Sequence, residues 1–215
     1  MPQRRLATSL TLAGLALGLL AGTTLPAAAG TLVIPPRPGQ IGLSIQGQYG
    51  GMLASGGLGD NFAYGPGLAV RLRYRMRYER AIGLSFESQS FDVRSVSHFN
   101  DFNGVPIPSD TLIAPETVTL ITSGLDFYKL YGTRTNTTRM LSAGFGLAQV
   151  HFKLRDGEIE FQPDGFYTSL GAGVEKFVWR SWAWDLSGRY MAVFENGDVN
   201  HEFQISLGLV VYASY

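Results

Sequence analysis

The chain has 215 residues, of which 45% are hydrophobic and 16% charged, and its 17 basic and 17 acidic residues give a formal net charge of zero. This balance argues against nucleic-acid binding through bulk positive charge, so we expect no nucleic-acid partner. The sequence contains no cysteine, which excludes disulfides, thiolate metal sites and a lipid anchor on cysteine.

Residues 1–29 have the features of a secretory signal peptide. Two arginines near the start precede an uncharged apolar run over residues 10–20, and three alanines end at Ala29. The apolar run is too short for a membrane-spanning helix. We therefore predict export and cleavage near Ala29/Gly30, which takes the basic residues from 17 to 15 against 17 acidic residues. Residues 30–38 would form a short periplasmic segment.

From residue 39 onward, apolar and polar residues alternate with the period of two that is typical of β-strands. The mature sequence has no apolar run of the ~18 residues that a membrane helix needs. If the chain crosses a membrane, it must do so as a closed barrel, because lipid offers no hydrogen-bond partner to an open sheet edge. Eight alternating segments can be recognised, at residues 40–52, 63–79, 82–89, 117–131, 139–152, 165–178, 181–194 and 201–215.

Among the first three segments, the second has the strongest alternation of apolar and polar residues. One face carries Leu68, Val70, Leu72, Tyr74, Met76 and Tyr78. The other face carries four arginines, Arg71, Arg73, Arg75 and Arg77. A tight turn near Glu79 leads to the third segment, whose polar face includes Glu87.

The fourth segment is the least regular, because residues 118–121 are apolar in both phases. Such a break predicts a β-bulge at this point. We place Ile121, Leu125 and Phe127 on the outward face and Asp126 on the inward face.

The last four segments also alternate between an apolar face and a face of polar or small residues. In the fifth and sixth, glycine, serine and alanine alternate with large apolar residues, and Glu175 shares the small-residue face. The seventh places Asp185 and Arg189 on its polar face. The apolar face of the last segment consists of Phe203, Ile205, Leu207, Leu209, Val211, Ala213 and Tyr215.

The connections differ in length in a way that indicates an orientation. The second and sixth are tight and the fourth is short, whereas the longest, the third, covers residues 92–116. This asymmetry is typical of a bacterial barrel with both termini and short turns in the periplasm and longer loops outside. Aromatic residues predict two membrane-boundary girdles: Tyr78, Tyr131, Trp179, Trp182 and Tyr215 at the periplasmic ends, and Phe62, Tyr64, Phe91, Phe152, Phe166 and Phe194 at the outer ends.

We therefore predict an all-β fold, an eight-stranded antiparallel up-and-down transmembrane β-barrel over residues 39–215 with short periplasmic turns and longer extracellular loops. The predicted location is the outer membrane of a Gram-negative bacterium. A soluble antiparallel barrel or sandwich also alternates, and it is the alternative fold.

The leader, the eight segments, the long outer loops, the stretch from Trp182 to Met191 and the aromatic Tyr215 together resemble the small OmpA/OmpX-type outer-membrane barrels. The resemblance implies contact with outer-membrane lipid and lipopolysaccharide, and a monomeric protein. It also implies recognition by the barrel-assembly machinery and periplasmic chaperones. The implied assembly signal consists of Phe203, Leu207, Leu209, Val211 and Tyr215.

The main candidate site is a set of charged residues on the inward face, because an arginine on the lipid face would cost roughly 2–4 kcal/mol near the midplane. Eight strands enclose a space that side chains just fill. We therefore expect paired charges that plug the lumen, and a narrow pore that prefers anions is the alternative. The predicted network consists of Arg71, Arg73, Arg75, Arg77, Glu87, Asp126, Glu175, Asp185 and Arg189.

We predict no catalytic residue, metal ligand or cofactor. His98, His151 and His201 lack both metal spacing and the histidine–serine pattern of lipid-deacylating barrels. Residues 101–104 are only a fragment of a calcium loop. The acids of residues 156–164 fit a solvated loop better than a cation site.

Three functions remain to be compared. The first is a non-enzymatic outer-membrane protein with a role in envelope integrity or surface contact. The second is a narrow channel for small solutes, as in the similar OmpW-type barrels. The third and most remote is a lipid-modifying enzyme.

Overall fold

The computed structural model describes residues 36–53, 62–92, 115–154, 159–161, 165–179, 181–195 and 198–213. The predicted signal peptide and Tyr215 lie outside these ranges. The regular secondary structure of the described residues consists of β-strands. None of them forms a helix long and apolar enough to cross a bilayer.

Nine strands follow one another along this part of the chain. They are β1 (Ile41–Met52), β2 (Tyr64–Arg77), β3 (Arg80–Asp92), β4 (Pro115–Tyr131), β5 (Thr137–Leu154), β6 (Ile159–Phe161), β7 (Gly165–Trp179), β8 (Trp182–Glu195) and β9 (Asp198–Tyr212). Eight of them are long, and β6 is a three-residue strand that pairs with the end of β5. The sequence did not predict β6, which lies in a region assigned to an outer connection.

The eight long strands form a closed antiparallel barrel. Around the barrel the long strands pair in the order β4-β3-β2-β1-β9-β8-β7-β5. The first and last of this series, β4 and β5, also pair with each other, and β1 pairs with β9. The predicted fold class is confirmed, because each long strand has two neighbours and the barrel has no open edge.

The barrel is apolar outside and polar inside. In β1, Ile45 and Tyr49 are 55% and 62% exposed, whereas Ser44, Gln46 and Gln48 are buried. The same alternation continues in the other long strands. Because a soluble barrel would bury its apolar face, this arrangement is the one that lipid requires.

The turn between β2 and β3 corrects one predicted lumen residue. A register shift separates the pair Arg75↔Ala81 from the pair Arg77↔Arg80, so β2 has one extra residue there. A bulge of this kind reverses the phase of the following residue. The prediction that Arg77 faces the lumen is therefore wrong, and its side chain is exposed.

The fourth strand also differs from its prediction. Val118 and Leu120 are both buried on the inward face, Ile121 and Phe127 are exposed, and the alternation continues without a bulge at residues 118–121. The register shift lies earlier, between Pro115 and Thr117.

Val118 and Leu120 both face inward because the lumen is apolar near the loop ends of the strands. Inward residues near the loop ends of the strands form one hydrophobic cluster. Two residues predicted for the outer girdle, Phe62 and Phe91, belong to this cluster and are 1% and 0% exposed. The outer-girdle prediction is therefore wrong for these two, whereas Tyr64 and Phe166 are exposed as expected. The cluster consists of Met52, Phe62, Phe91, Val118, Leu120, Ala148, Val150, Tyr167, Met191 and Val193.

Candidate functional site

Eight of the nine charged residues predicted for the lumen lie inside the barrel, and Arg77 is the exception. Each of the eight is at most 5% exposed. We call them the lumen charge network: Arg71, Arg73 and Arg75 on β2, Glu87 on β3, Asp126 on β4, Glu175 on β7, and Asp185 and Arg189 on β8.

The part of the network nearer the tight turns is centred on Glu175. Its carboxylate pairs with Arg73, and its second oxygen accepts a hydrogen bond from Arg75 at 2.8 Å. The hydroxyl of Tyr212 donates to Glu175 at 2.7 Å. Arg73 also contacts Asp185 at 3.3 Å. Two arginines thus share two carboxylates, and a phenol supplies a further donor.

The part nearer the outer end is centred on Glu87. One carboxylate oxygen accepts from Arg71 at 2.9 Å and from Arg189 at 2.5 Å. The other accepts from Gln204 at 2.9 Å. Arg189 also donates to Asp126 at 2.9 Å. Each Glu87 oxygen therefore has a donor, as a buried carboxylate requires.

Three tyrosine rings cover arginines of the network, and the guanidinium carbon of Arg189 lies 5.5 Å from the centroid of Tyr167. The guanidinium carbon of Arg73 lies 4.4 Å from the centroid of Tyr128, and that of Arg75 lies 4.9 Å from the centroid of Tyr212. Such cation–π contacts offset part of the cost of removing the charge from water. Tyr128 also donates to Asp126 at 3.2 Å, so it links the two parts of the network.

Glycine on β5 makes room for the network. A Cβ atom at Gly144 would collide with Asp126 Oδ1 and would lie 2.8 Å from Ser169 Oγ and 3.0 Å from a terminal nitrogen of Arg189. A larger residue here would displace the Arg189–Asp126 ion pair.

One buried carboxylate has no cationic partner. Among the described buried residues there are four arginines but five carboxylates, and the fifth is Glu202 on β9. Glu202 is 2% exposed, and neither carboxylate oxygen has a hydrogen-bond partner. It lies between the network and the apolar cluster, since its neighbours across the sheet are Met52 and Met191.

Apart from Glu202, the buried polar side chains on the wall formed by β1 and β9 are neutral. Several side-chain atoms on these two strands are buried without a partner among the described residues. Buried groups of this kind are usually satisfied by ordered water. We call this wall the polar seam, formed by Ser44, Gln46, Gln48, Gln204 and Ser206.

Sequence reasoning missed several members of this site, among them Tyr128, Tyr212 and Glu202. Tyr128 follows the inward-facing Asp126 by two residues, and Tyr212 follows the inward-facing Gln204 by an even number of residues. The alternation along each strand therefore predicts that both tyrosines face the lumen. Glu202 lies on the face of the last segment opposite Phe203 and Ile205, but the predicted charge network does not include it.

The predicted assembly signal lies mostly on the outward face of β9. Leu207 and Leu209 are exposed, and Phe203 and Val211 are half-exposed. Tyr215 lies outside the described residues. Its role in assembly stays a prediction.

Solved outer-membrane proteins share this fold at low sequence identity. Neisserial surface protein A is 16% identical with a TM-score of 0.59, and the match covers 80% of this chain and 96% of that one. Ail, the attachment invasion locus protein of Yersinia pestis, is 13% identical with a TM-score of 0.51, covering 82% and 99%. OprG from Pseudomonas aeruginosa is 9% identical with a TM-score of 0.52, covering 85% and 100%.

At these identities the structural likeness establishes the fold alone. No curated protein matches the sequence. The sequence profile described as "Outer membrane protein beta-barrel domain" matches residues 15–210. The match covers most of the chain and begins inside the predicted leader. The chain therefore belongs to the outer membrane protein beta-barrel domain family.

Proposed function

We propose that the protein is a non-enzymatic outer-membrane barrel with a lumen closed by the charge network, and that it presents its outer loops for envelope integrity or surface contact. The observation that carries this proposal is the geometry of two ion pairs. Arg73 on β2 pairs with Glu175 on β7, and Arg189 on β8 pairs with Glu87 on β3. In the order of the closed barrel, each pair joins strands that are four positions apart in either direction.

These pairs therefore cross the lumen along its diameter. An ion crossing the barrel would have to separate these buried charges, and breaking a buried pair is costly. The apolar cluster lies on the outer side of the network and adds a second barrier, since all its side chains except Tyr167 lack a group that could replace the hydration shell of an ion.

The loops are the natural place for a specific role, because binding residues are concentrated on loops held by a rigid scaffold. Residues 93–114 form the longest connection that the described strands bound. The fold neighbour Ail is an attachment invasion locus protein, and surface contact by the loops of this chain is the corresponding proposal.

Planar-bilayer recording tests the closed lumen. We expect the purified wild-type protein to give no steady current, and the Arg77→Ala variant, which lies outside the network, to behave in the same way. A steady anion current that is lost in Arg73→Ala would overturn the proposal.

A narrow channel is the second candidate, and the polar seam is the observation that favours it. Amide oxygens and hydroxyls along β1 and β9 that have no partner among the described residues, together with the amide of Gln46, can solvate a file of water or a small polar solute. If the seam conducts, replacing Gln46 and Gln48 with leucine should reduce uptake of small solutes into proteoliposomes, while Arg77→Ala should not.

Non-enzymatic character is tested separately. Mass spectra of lipid A from cells with and without the protein should be identical. A new lipid A species that depends on expression would contradict this part of the proposal.

A further inference from the structure

Basic side chains gather on the outward face of the barrel at the end with the tight turns. We call the following five the cationic arc: Arg77 on β2, Arg80 on β3, Lys129 on β4, Arg139 on β5 and Lys176 on β7. Arg77, Arg80 and Arg139 are exposed, Lys176 is half-exposed, and the side chain of Lys129 is 42% exposed.

Strand register places these residues side by side on successive strands. Arg77 pairs with Arg80, and Arg80 pairs with Lys129. Arg139 lies two residues from Leu141, the partner of Lys129, and Lys176 lies two residues from Val174, the partner of Arg139. The arc is therefore continuous over five neighbouring strands.

The protein itself supplies little negative charge to this surface. Like charges directly opposite each other in a sheet are destabilising, and the arc contains two such pairs. Among the described outward residues at this end, the single acid is Glu79, which accepts a hydrogen bond from Lys129 at 2.6 Å. That hydrogen bond lowers the pKa of Glu79, and the other four cations of the arc form no ion pair with another described residue.

The surroundings of the arc are those of a lipid headgroup layer. Tyr131 lies under Lys129 with its centroid 5.8 Å from Nζ, and Tyr78 and Trp179 are exposed at the same end. Aromatic rings of this kind mark the membrane–water boundary. Around the other side of the barrel, the outward residues of β8, β9 and β1 at this end include Trp182, Leu209 and Ile41, and no described one is charged.

We propose that the cationic arc binds the phosphate headgroups of anionic phospholipids in the periplasmic leaflet. Placing the arc in that leaflet follows from the barrel orientation, in which tight turns face the periplasm and long loops face outward. Each basic residue near an anionic lipid surface contributes about 1 kcal/mol, which corresponds to about fivefold in affinity. Because the arc covers one side of the barrel, the bound lipids form a half-ring along β2 to β7.

The test compares lipids retained by the full-length protein. The protein is reconstituted in vesicles of phosphatidylethanolamine and phosphatidylglycerol, extracted gently, and analysed for bound lipid by native mass spectrometry. We expect phosphatidylglycerol to be enriched at least fivefold over its share in the vesicle. In the triple variant Arg80→Gln/Arg139→Gln/Lys176→Gln the enrichment should fall to about one, and in Glu79→Gln it should rise.

Heat-modifiable migration in gels verifies that each variant still forms a barrel. Because the substituted residues are exposed, we expect folding to be kept. Equal retention of both lipids by the wild-type protein would overturn the proposal, and so would enrichment that the triple variant leaves unchanged. A wild-type protein that binds purified peptidoglycan through the arc but shows no lipid preference would also overturn it, in favour of an anionic polymer as the partner.

Discussion

Arg73 is the central cation in the part of the network nearer the tight turns. It contacts Glu175 and Asp185 on two different strands and lies over the ring of Tyr128. Its side chain is 2% exposed, so the charges that it pairs with lie in the buried interior. Loss of one partner from a buried pair is more costly than the net value of the pair, because the remaining charge stays in the low-dielectric interior.

The Arg73→Ala variant should therefore be destabilised by about 3–5 kcal/mol. We expect the temperature at which the folded band converts to the unfolded band in gels to fall. Arg77→Ala removes an arginine from the same strand but from an exposed position, and it should leave that temperature nearly unchanged. Equal melting of the two variants would argue against a structural role for the network.

Glu202 should show the opposite behaviour. Its carboxylate is buried with Met52 and Met191 as cross-strand neighbours, and it has no hydrogen-bonded cation. Glu202→Gln keeps the shape and removes the charge, so we expect a higher melting temperature. Glu175→Gln makes the same change where two arginines pair, and it should lower the melting temperature. Stabilisation by both substitutions, or by neither, would contradict the distinction between the two sites.

At the scale of the strands, the alternating pattern predicted all eight long strands and the inward phase of most charged residues. It failed where local geometry changes the phase, as at Arg77 after the bulge near the β2–β3 turn. It also failed where we assumed that the whole lumen is polar. We assigned Phe62 and Phe91 to the lipid-facing outer girdle because aromatic residues mark such girdles. Both instead belong to the apolar cluster that fills the outer end of the lumen.

Close packing between β5 and the network gives a prediction for Gly144. An alanine there would place a methyl group against the Arg189–Asp126 ion pair, which cannot move far because Arg189 also pairs with Glu87. We expect Gly144→Ala to reduce the folded fraction after refolding from urea. Gly47→Ala is the matched control on β1, since the nearest atom to the added methyl is 4.0 Å away. A Gly144→Ala variant that refolds as well as Gly47→Ala would show that the ion pair can shift to accommodate the methyl group.

At the scale of the whole molecule, the partners within the network could not be read from the sequence. Inward phase follows from alternation along one strand, whereas the pairing of Arg73 with Glu175 depends on which strands face each other across the closed barrel. That depends on strand order, register and tilt together. The sequence could thus predict the charges, their face and that Glu175 and Asp185 can reach across to the arginines of β2, but not which arginine pairs with which carboxylate. The same limit applies to the cationic arc, which becomes continuous only when β2 to β7 are placed side by side.

Closure of the barrel depends on the pairing of β1 with β9, and a disulfide can test its register. The backbone N–H of Ala213 donates to Ile41 and that of Leu53 donates to His201, so odd-numbered pairs along this seam are the hydrogen-bonded ones. Ser44 and Val210 face each other as a non-hydrogen-bonded pair, in which side chains lie closer together. The double variant Ser44→Cys/Val210→Cys should therefore oxidise in the folded barrel, with no background because the chain has no cysteine. After boiling without reductant it should migrate faster than the reduced sample, since residues 44–210 then form a covalent loop, and each single variant should not. Free thiols in the folded double variant would contradict the register that closes the barrel.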